Sequence, residues 1–226
     1  MRFTVAEEEM ILSRSGLLNM LGTETINAVK VAYRTGERHY HTWDHALSVV
    51  SWVNYAMAKL DLGLGSPGLQ IAALFHDAVY DTAAGSPVNE AASADLCQEL
   101  CQKTFHAKRV WDDDGMIRAL IMDTAKHGVL ERSNTIQRSA ILLDADLASF
   151  GESRWEVVQW NDQNIVKELT ACGKYTAEQI CLGRIKFLTG LLQKNSIFLT
   201  ELFQDMFELQ ARRNILRVIN TLEAKW

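Results

Sequence analysis

Histidine is scarce in this chain, six among 226 residues, and unevenly placed. His39, His41 and His45 crowd into Arg38–His45 (RHYHTWDH), and His76 stands beside Asp77 in Phe75–Asp81 (FHDAVYD). Imidazole and carboxylate are the donors that hold divalent first-row metal ions. Ala72, Ala73, Phe75 and Val79 make the neighbourhood of Asp77 apolar. A buried ionised carboxylate is costly unless it is paired or bound to metal. A cation shared by His76 and Asp77 would satisfy both. His45 offers a third donor: it follows His41 by four residues, on one face of a helix for which Thr42 suits the N-cap. Its place inside the regular helix makes it the more rigid ligand of the two.

A second acidic pair poses the same problem. Asp144 and Asp146 lie among Ile141, Leu142, Leu143, Ala145, Leu147 and Ala148, a pattern apolar nearly all round and therefore central to a bundle. An arginine, Arg38 or Arg138, could neutralise one of them; a metal with surrounding hydrogen bonds would account for both. Periodicity leaves open which is the ligand, because the two flank the apolar stripe equally. Arg38, His41, Lys126 and His127 are candidates to neutralise charge on a phosphoryl group, with His127 also a candidate acid. Asp77 could take the proton of an attacking water as well as ligate. Asp144, and Asp81 one expected helical turn beyond Asp77, would orient the ligands. His106, in a basic stretch, is expected at an exposed helix end. His39 also reads as a surface or capping histidine.

The elements that must position these groups are helical. Apolar residues recur at helical spacing from Trp43 to Leu60, and the helix is expected to stop in the glycine-rich loop Leu62–Gly68. Further helices are predicted at about 17–33, 69–80, 88–105, 116–125, 135–150, 155–171, 176–192 and 196–222. Gly151 stands where a glycine is expected just past a helix end. No strand-like alternation or hairpin signal of useful length occurs. The expectation is an all-α bundle of eight or nine helices in one domain, residues 1–226, with a core of about 17–150 and a C-terminal extension of about 151–226. The apolar run from Ile197 to Phe207 reads as core packing; a homodimer through the last helices is the alternative use.

Nearly half the residues are hydrophobic and under a quarter charged, an ordinary globular balance, and with two prolines long disorder is not expected. A net charge of -5 without a dense basic run argues against extended nucleic-acid binding. It does not oppose a small anionic ligand held through a metal. No uncharged apolar run is long enough to span a membrane, and the opening residues, with three consecutive glutamates, do not read as a signal peptide. The expected location is cytoplasmic. The four cysteines form no CxxC pair, which argues against a structural zinc knuckle and for small buried thiols.

The order of H, HD and D resembles the HD superfamily of metal-dependent phosphohydrolases, in particular its branch of predicted enzymes without a known substrate. The likeness runs through RHYHTWDH, FHDAVYD, Asn89–Ala94 (NEAASA), Lys126-His127, Leu142–Gly151 (LLDADLASFG), Gly183–Leu188 (GRIKFL) and Ala211–Leu216 (ARRNIL). It implies an HD-type helical bundle with additional C-terminal helices. It also implies one divalent cation held by His45, His76, Asp77 and an aspartate of the DAD segment, assigned to Asp146, which matches the family's ligand turn in Ala145-Asp146-Leu147. The family often has arginine at the position of Leu147, a departure that removes one phosphate contact or salt bridge. Asn89 and Glu90 are implied to lie near the site. The expected activity is hydrolysis of a phosphate ester or anhydride, with a nucleotide the expected substrate. Mn, Fe, Co, Ni or Zn suits these donors better than Mg. The alternatives are a nucleotide sensor without turnover and an oxygenase with two irons.

Overall fold

A computed structural model describes residues 2–62 and 66–224; of the expected loop Leu62–Gly68, residues 63–65 lie outside the described residues. The described residues form eleven α-helices and no strand, in line with the all-α expectation. They divide into two compact units, 1–126 and 127–226. The segment with Asp144 and Asp146 lies in the second of these units, with the C-terminal helices.

The first unit contains α1 (Val5–Arg14), α2 (Leu17–Ala32), α3 (Trp43–Lys59), α4 (Pro67–Phe75), α5 (Val88–Cys101), α6 (Phe105–Asp114) and α7 (Ile117–Asp123). Helix α1 escaped the periodicity reading, yet its start is written in a capping box. The Thr4 hydroxyl accepts from the Glu7 amide, and the Glu7 carboxylate accepts from the Thr4 amide at 2.8 Å. Gly22 bends α2 by adopting φ 73°, ψ 161°, a conformation open to glycine. Helix α4 opens with Pro67, and Gly68–Phe75 are all buried. It packs against α2, α3, α5, α6 and α7, so it is the hub of the unit. The single helix expected over 88–105 ends at Cys101, and α6, a separate element, follows.

Helix α4 also ends earlier than the apolar pattern predicts, at Phe75 instead of Tyr80. The His76 ring supplies one reason: its Nδ1 lies 2.8 Å from the Ala73 carbonyl, the acceptor that an amide four residues on would use. The residues beyond then take other partners, so Asp81 does not stand one helical turn above Asp77.

The second unit contains α8 (Gln137–Leu147), α9 (Trp155–Ala171), α10 (Ala177–Gln193) and α11 (Glu201–Glu223), with a short 3-10 turn, Ala148–Gly151, after α8. Helix α11 packs on that turn, on α9 and on α10. Gly151 is required by this approach: a Cβ there would meet the Phe207 ring at about 2.5 Å. Buried Asn214 fastens the same turn, donating to the Phe150 and Glu152 carbonyls at 2.7 and 2.8 Å. The helix expected over 196–222 begins only at Glu201, because residues 196–198 bind the Glu208 carboxylate through Ser196 Oγ and the Ile197 and Phe198 amides. Ile197, Phe198, Leu199 and Phe203 are buried, as core residues of the apolar run should be. No described helix is long and apolar enough to cross a membrane.

Candidate metal centre

His45, His76 and Asp77, all of the first unit, bring together imidazole and carboxylate donors that could hold a metal ion. His45 sits in the first turn of α3, and His76 and Asp77 follow the end of α4. His76 Nε2 lies 3.2 Å from His45 Nε2 and 3.2 Å from Asp77 Oδ2, and His45 Nε2 lies 3.6 Å from the same oxygen. Ligands on a metal at about 2.1 Å are separated by roughly 3.0 Å at octahedral and 3.4 Å at tetrahedral angles. The two edges from His76 Nε2 fall in that range, and the His45–Asp77 edge is about 0.2 Å longer than its upper end. A carbonyl can only accept, so His76 Nδ1 carries a proton, and in the neutral ring Nε2 then presents a lone pair towards His45 and Asp77. A backbone-anchored imidazole of this kind is the usual form of a metal-ligating histidine. His76 is fully buried and the other two side chains are nearly so.

Around this triangle, His41 stacks on Tyr80, ring centroids 4.2 Å apart, and Tyr40 leans on His45 at 4.9 Å. Tyr40 and Tyr80 were not singled out from the sequence; aromatic rings beside scarce histidines were the available signal. Arg38, expected to face phosphate, directs its guanidinium to backbone carbonyls. Each of its five N–H groups has a carbonyl acceptor: Nε has Thr35 at 3.1 Å, Nη1 has His41 at 3.0 Å and Asp77 at 2.7 Å, and Nη2 has Ala78 at 2.9 Å and Ala32 at 3.4 Å.

The chain leaving Asp77 is held by side chains of α5. Buried Ser93 donates its hydroxyl to the Val79 carbonyl at 3.1 Å and accepts the Val79 amide at 3.0 Å. Asn89 does the same for Asp81, at 3.0 and 2.9 Å. Their i, i+4 spacing at the head of a helix was the sequence signal for Ser93. Asp81, expected to orient ligands or meet substrate, accepts the Ala83 amide at 2.8 Å and shapes its own turn. Glu90 follows Asn89 in the first turn of α5, with one carboxylate oxygen buried and without a hydrogen-bond partner among the described residues. Lys126 is half exposed and pairs with Asp123 at 2.8 Å. His106 is exposed near the start of α6, as expected.

In the second unit the two aspartates of α8 part ways. Asp144 is almost completely buried and accepts from the Leu199 amide at 2.7 Å, the Thr200 amide at 2.8 Å and the Thr200 hydroxyl at 2.7 Å. Burial pushes its carboxyl up to about 6, against the lowering effect of those donors and of His127. Both oxygens thus serve the loop entering α11, at the residue expected to orient the metal ligands. Asp146 Oδ2 lies 2.7 Å from His127 Nε2, with both side chains mostly buried and His127 Nδ1 without a hydrogen-bond partner among the described residues. His127 therefore reaches an aspartate, whichever further role it has. Glu168, completely buried in α9, escaped the sequence reading because the buried face of α9 mixes Val158 with Asp162, Asn164 and Glu168.

Compared with protein-family models, curated proteins and solved structures, the chain finds no match.

Proposed function

We propose that the protein is a metal-dependent phosphohydrolase of the HD type, with His45, His76, Asp77 and Asp146 as ligands of one divalent cation. The carrying observation is the triangle of His45, His76 and Asp77: three donor atoms 3.2 to 3.6 Å apart, one of them an imidazole nitrogen whose partner nitrogen is tied to a carbonyl. Two imidazoles and carboxylates favour Mn, Fe, Co, Ni or Zn over Mg. A cation bound there supplies Lewis acidity, acidifying water and polarising a phosphoryl oxygen.

The chain's own groups do the rest. Asp77, shared between ligation and solvent, accepts a proton from the attacking water. His127 orients the Asp146 carboxylate through the 2.7 Å contact. His41 and Lys126 are the candidates to contact the phosphate oxygens. A small phosphate ester or anhydride, such as a nucleotide, suits a mildly acidic chain that recruits anions through a metal instead of a basic surface.

The test is metal analysis of the purified protein followed by a phosphate-release screen across mononucleotides, nucleoside triphosphates and cyclic nucleotides in added Mn(II). One divalent ion per chain with turnover of one class supports the proposal. Nucleotide-dependent thermal stabilisation without turnover would identify a sensor instead, and two irons per chain would point to oxygen chemistry.

A further inference from the structure

We propose that Arg38 is a positioning residue of the cation site, a backbone clamp acting through Asp77 and not an anion contact; the inference rests on the metal-site reading above. Asp77 lies beyond the last residue of α4, so helical geometry does not hold its carboxylate in place. Its backbone is held instead by the guanidinium, whose Nη1 reaches the Asp77 carbonyl at 2.7 Å and the His41 carbonyl at 3.0 Å. His41 immediately precedes Thr42, the N-cap of the helix that carries His45. One planar group thus ties the peptide bearing one ligand to the lead-in of the helix bearing another.

The rest of the exit segment completes the clamp. Arg38 Nη2 takes the Ala78 carbonyl, Ser93 takes both polar groups of Val79, and Asn89 takes both of Asp81. The guanidinium also lies over the Tyr33 and Tyr80 rings, at 5.2 and 5.7 Å, and Tyr80 carries the stacked His41. Lysine cannot replace this arrangement. Its ammonium is a single point with three donors, where the fork addresses carbonyls on several sides at once. The loss expected on disturbing it is in ligand geometry, to which metal affinity is sensitive.

The experiment is a Co(II) titration of metal-free wild type, Arg38→Lys and Arg38→Ala, read by visible absorption, with far-ultraviolet circular dichroism for the fold. Arg38→Lys is expected to keep its helical content, to weaken Co(II) binding by about tenfold or more, and to alter the ligand-field bands. Millimolar guanidinium added to Arg38→Ala is expected to restore part of the affinity, which a general loss of stability would not allow. Should Arg38→Ala fail to fold, Arg38→Lys and Ser93→Ala carry the test, the latter with a smaller loss. Wild-type Co(II) affinity and spectrum in folded Arg38→Lys would overturn the clamp. The same variant losing only inorganic phosphate binding would make Arg38 an anion contact and also overturn it. A wild type that takes up neither Co(II) nor Mn(II) would sink the metal-site reading itself, a result distinct from unchanged variants of a metal-binding wild type.

Discussion

Asp77 in the first unit and Asp144 in the second are both carboxylates in apolar surroundings, and their partners differ in kind. Asp144 is surrounded by donors: two amides and a hydroxyl reach its two oxygens. Asp77 Oδ2 instead faces two imidazole Nε2 atoms, and that of His76 presents a lone pair whenever its ring is neutral. Donors satisfy a buried carboxylate within the protein. Lone pairs gathered against a carboxylate repel unless a cation or proton lies among them. The difference separates a carboxylate satisfied by donors within the fold from one grouped with imidazoles in a set that could hold a metal ion.

The largest effect expected from breaking this contrast is on metal uptake. Asp77→Ala or His76→Ala should abolish retention of a divalent ion and any phosphate release, with far-ultraviolet circular dichroism unchanged. A metal-replete Asp77→Ala enzyme of full activity would end the comparison. Asp144→Ala should act oppositely, costing about 3 kcal/mol in urea unfolding because one buried and two partly buried donors lose their acceptor. Asp144→Asn should cost less, since its amide oxygen still accepts and no charge is buried.

Titration sharpens the same point. Native Asp144, at about 6, lies above its ordinary value of 3.8, so the folded state holds the proton more tightly than the unfolded chain. The stabilising contribution is complete below about pH 3.8 and is lost as pH rises through about 6. Wild-type stability relative to Asp144→Asn should therefore decline across that window, by up to roughly 3 kcal/mol. A flat difference between pH 4 and 7 would show that the three donors balance the burial. The smallest effect concerns the exit segment: Ser93→Ala should cost about 1 to 2 kcal/mol in thermal or urea unfolding, with both polar groups of Val79 left unpaired.

Helix positions were readable where an apolar face repeats, as in α3, and α9 was expected over the residues it occupies. Ends were less readable. The apolar pattern runs on through Val79, but the His76 ring takes the Ala73 carbonyl, the Tyr33 hydroxyl that of Leu74, and Arg38 those of Asp77 and Ala78 just beyond α4. No local propensity records a competitor 39 residues distant in sequence. The backbone partners of Arg38, Asp81 and Asp144 were hidden for the same reason: residue type announces a charge, while packing supplies its partner.

The sequence alone determined the helical class and the chemistry on offer, because periodicity and residue type are local properties of the chain. It narrowed the acidic pair of α8 to two equal candidates and could go no further. Only the tertiary structure committed Asp144 to the 199–200 backbone and left Asp146 beside His127, and only it drew His45, His76 and Asp77 into one triangle. Distances of 3 Å between groups 31 residues apart arise from how helices pack, and no spacing rule along the chain contains them.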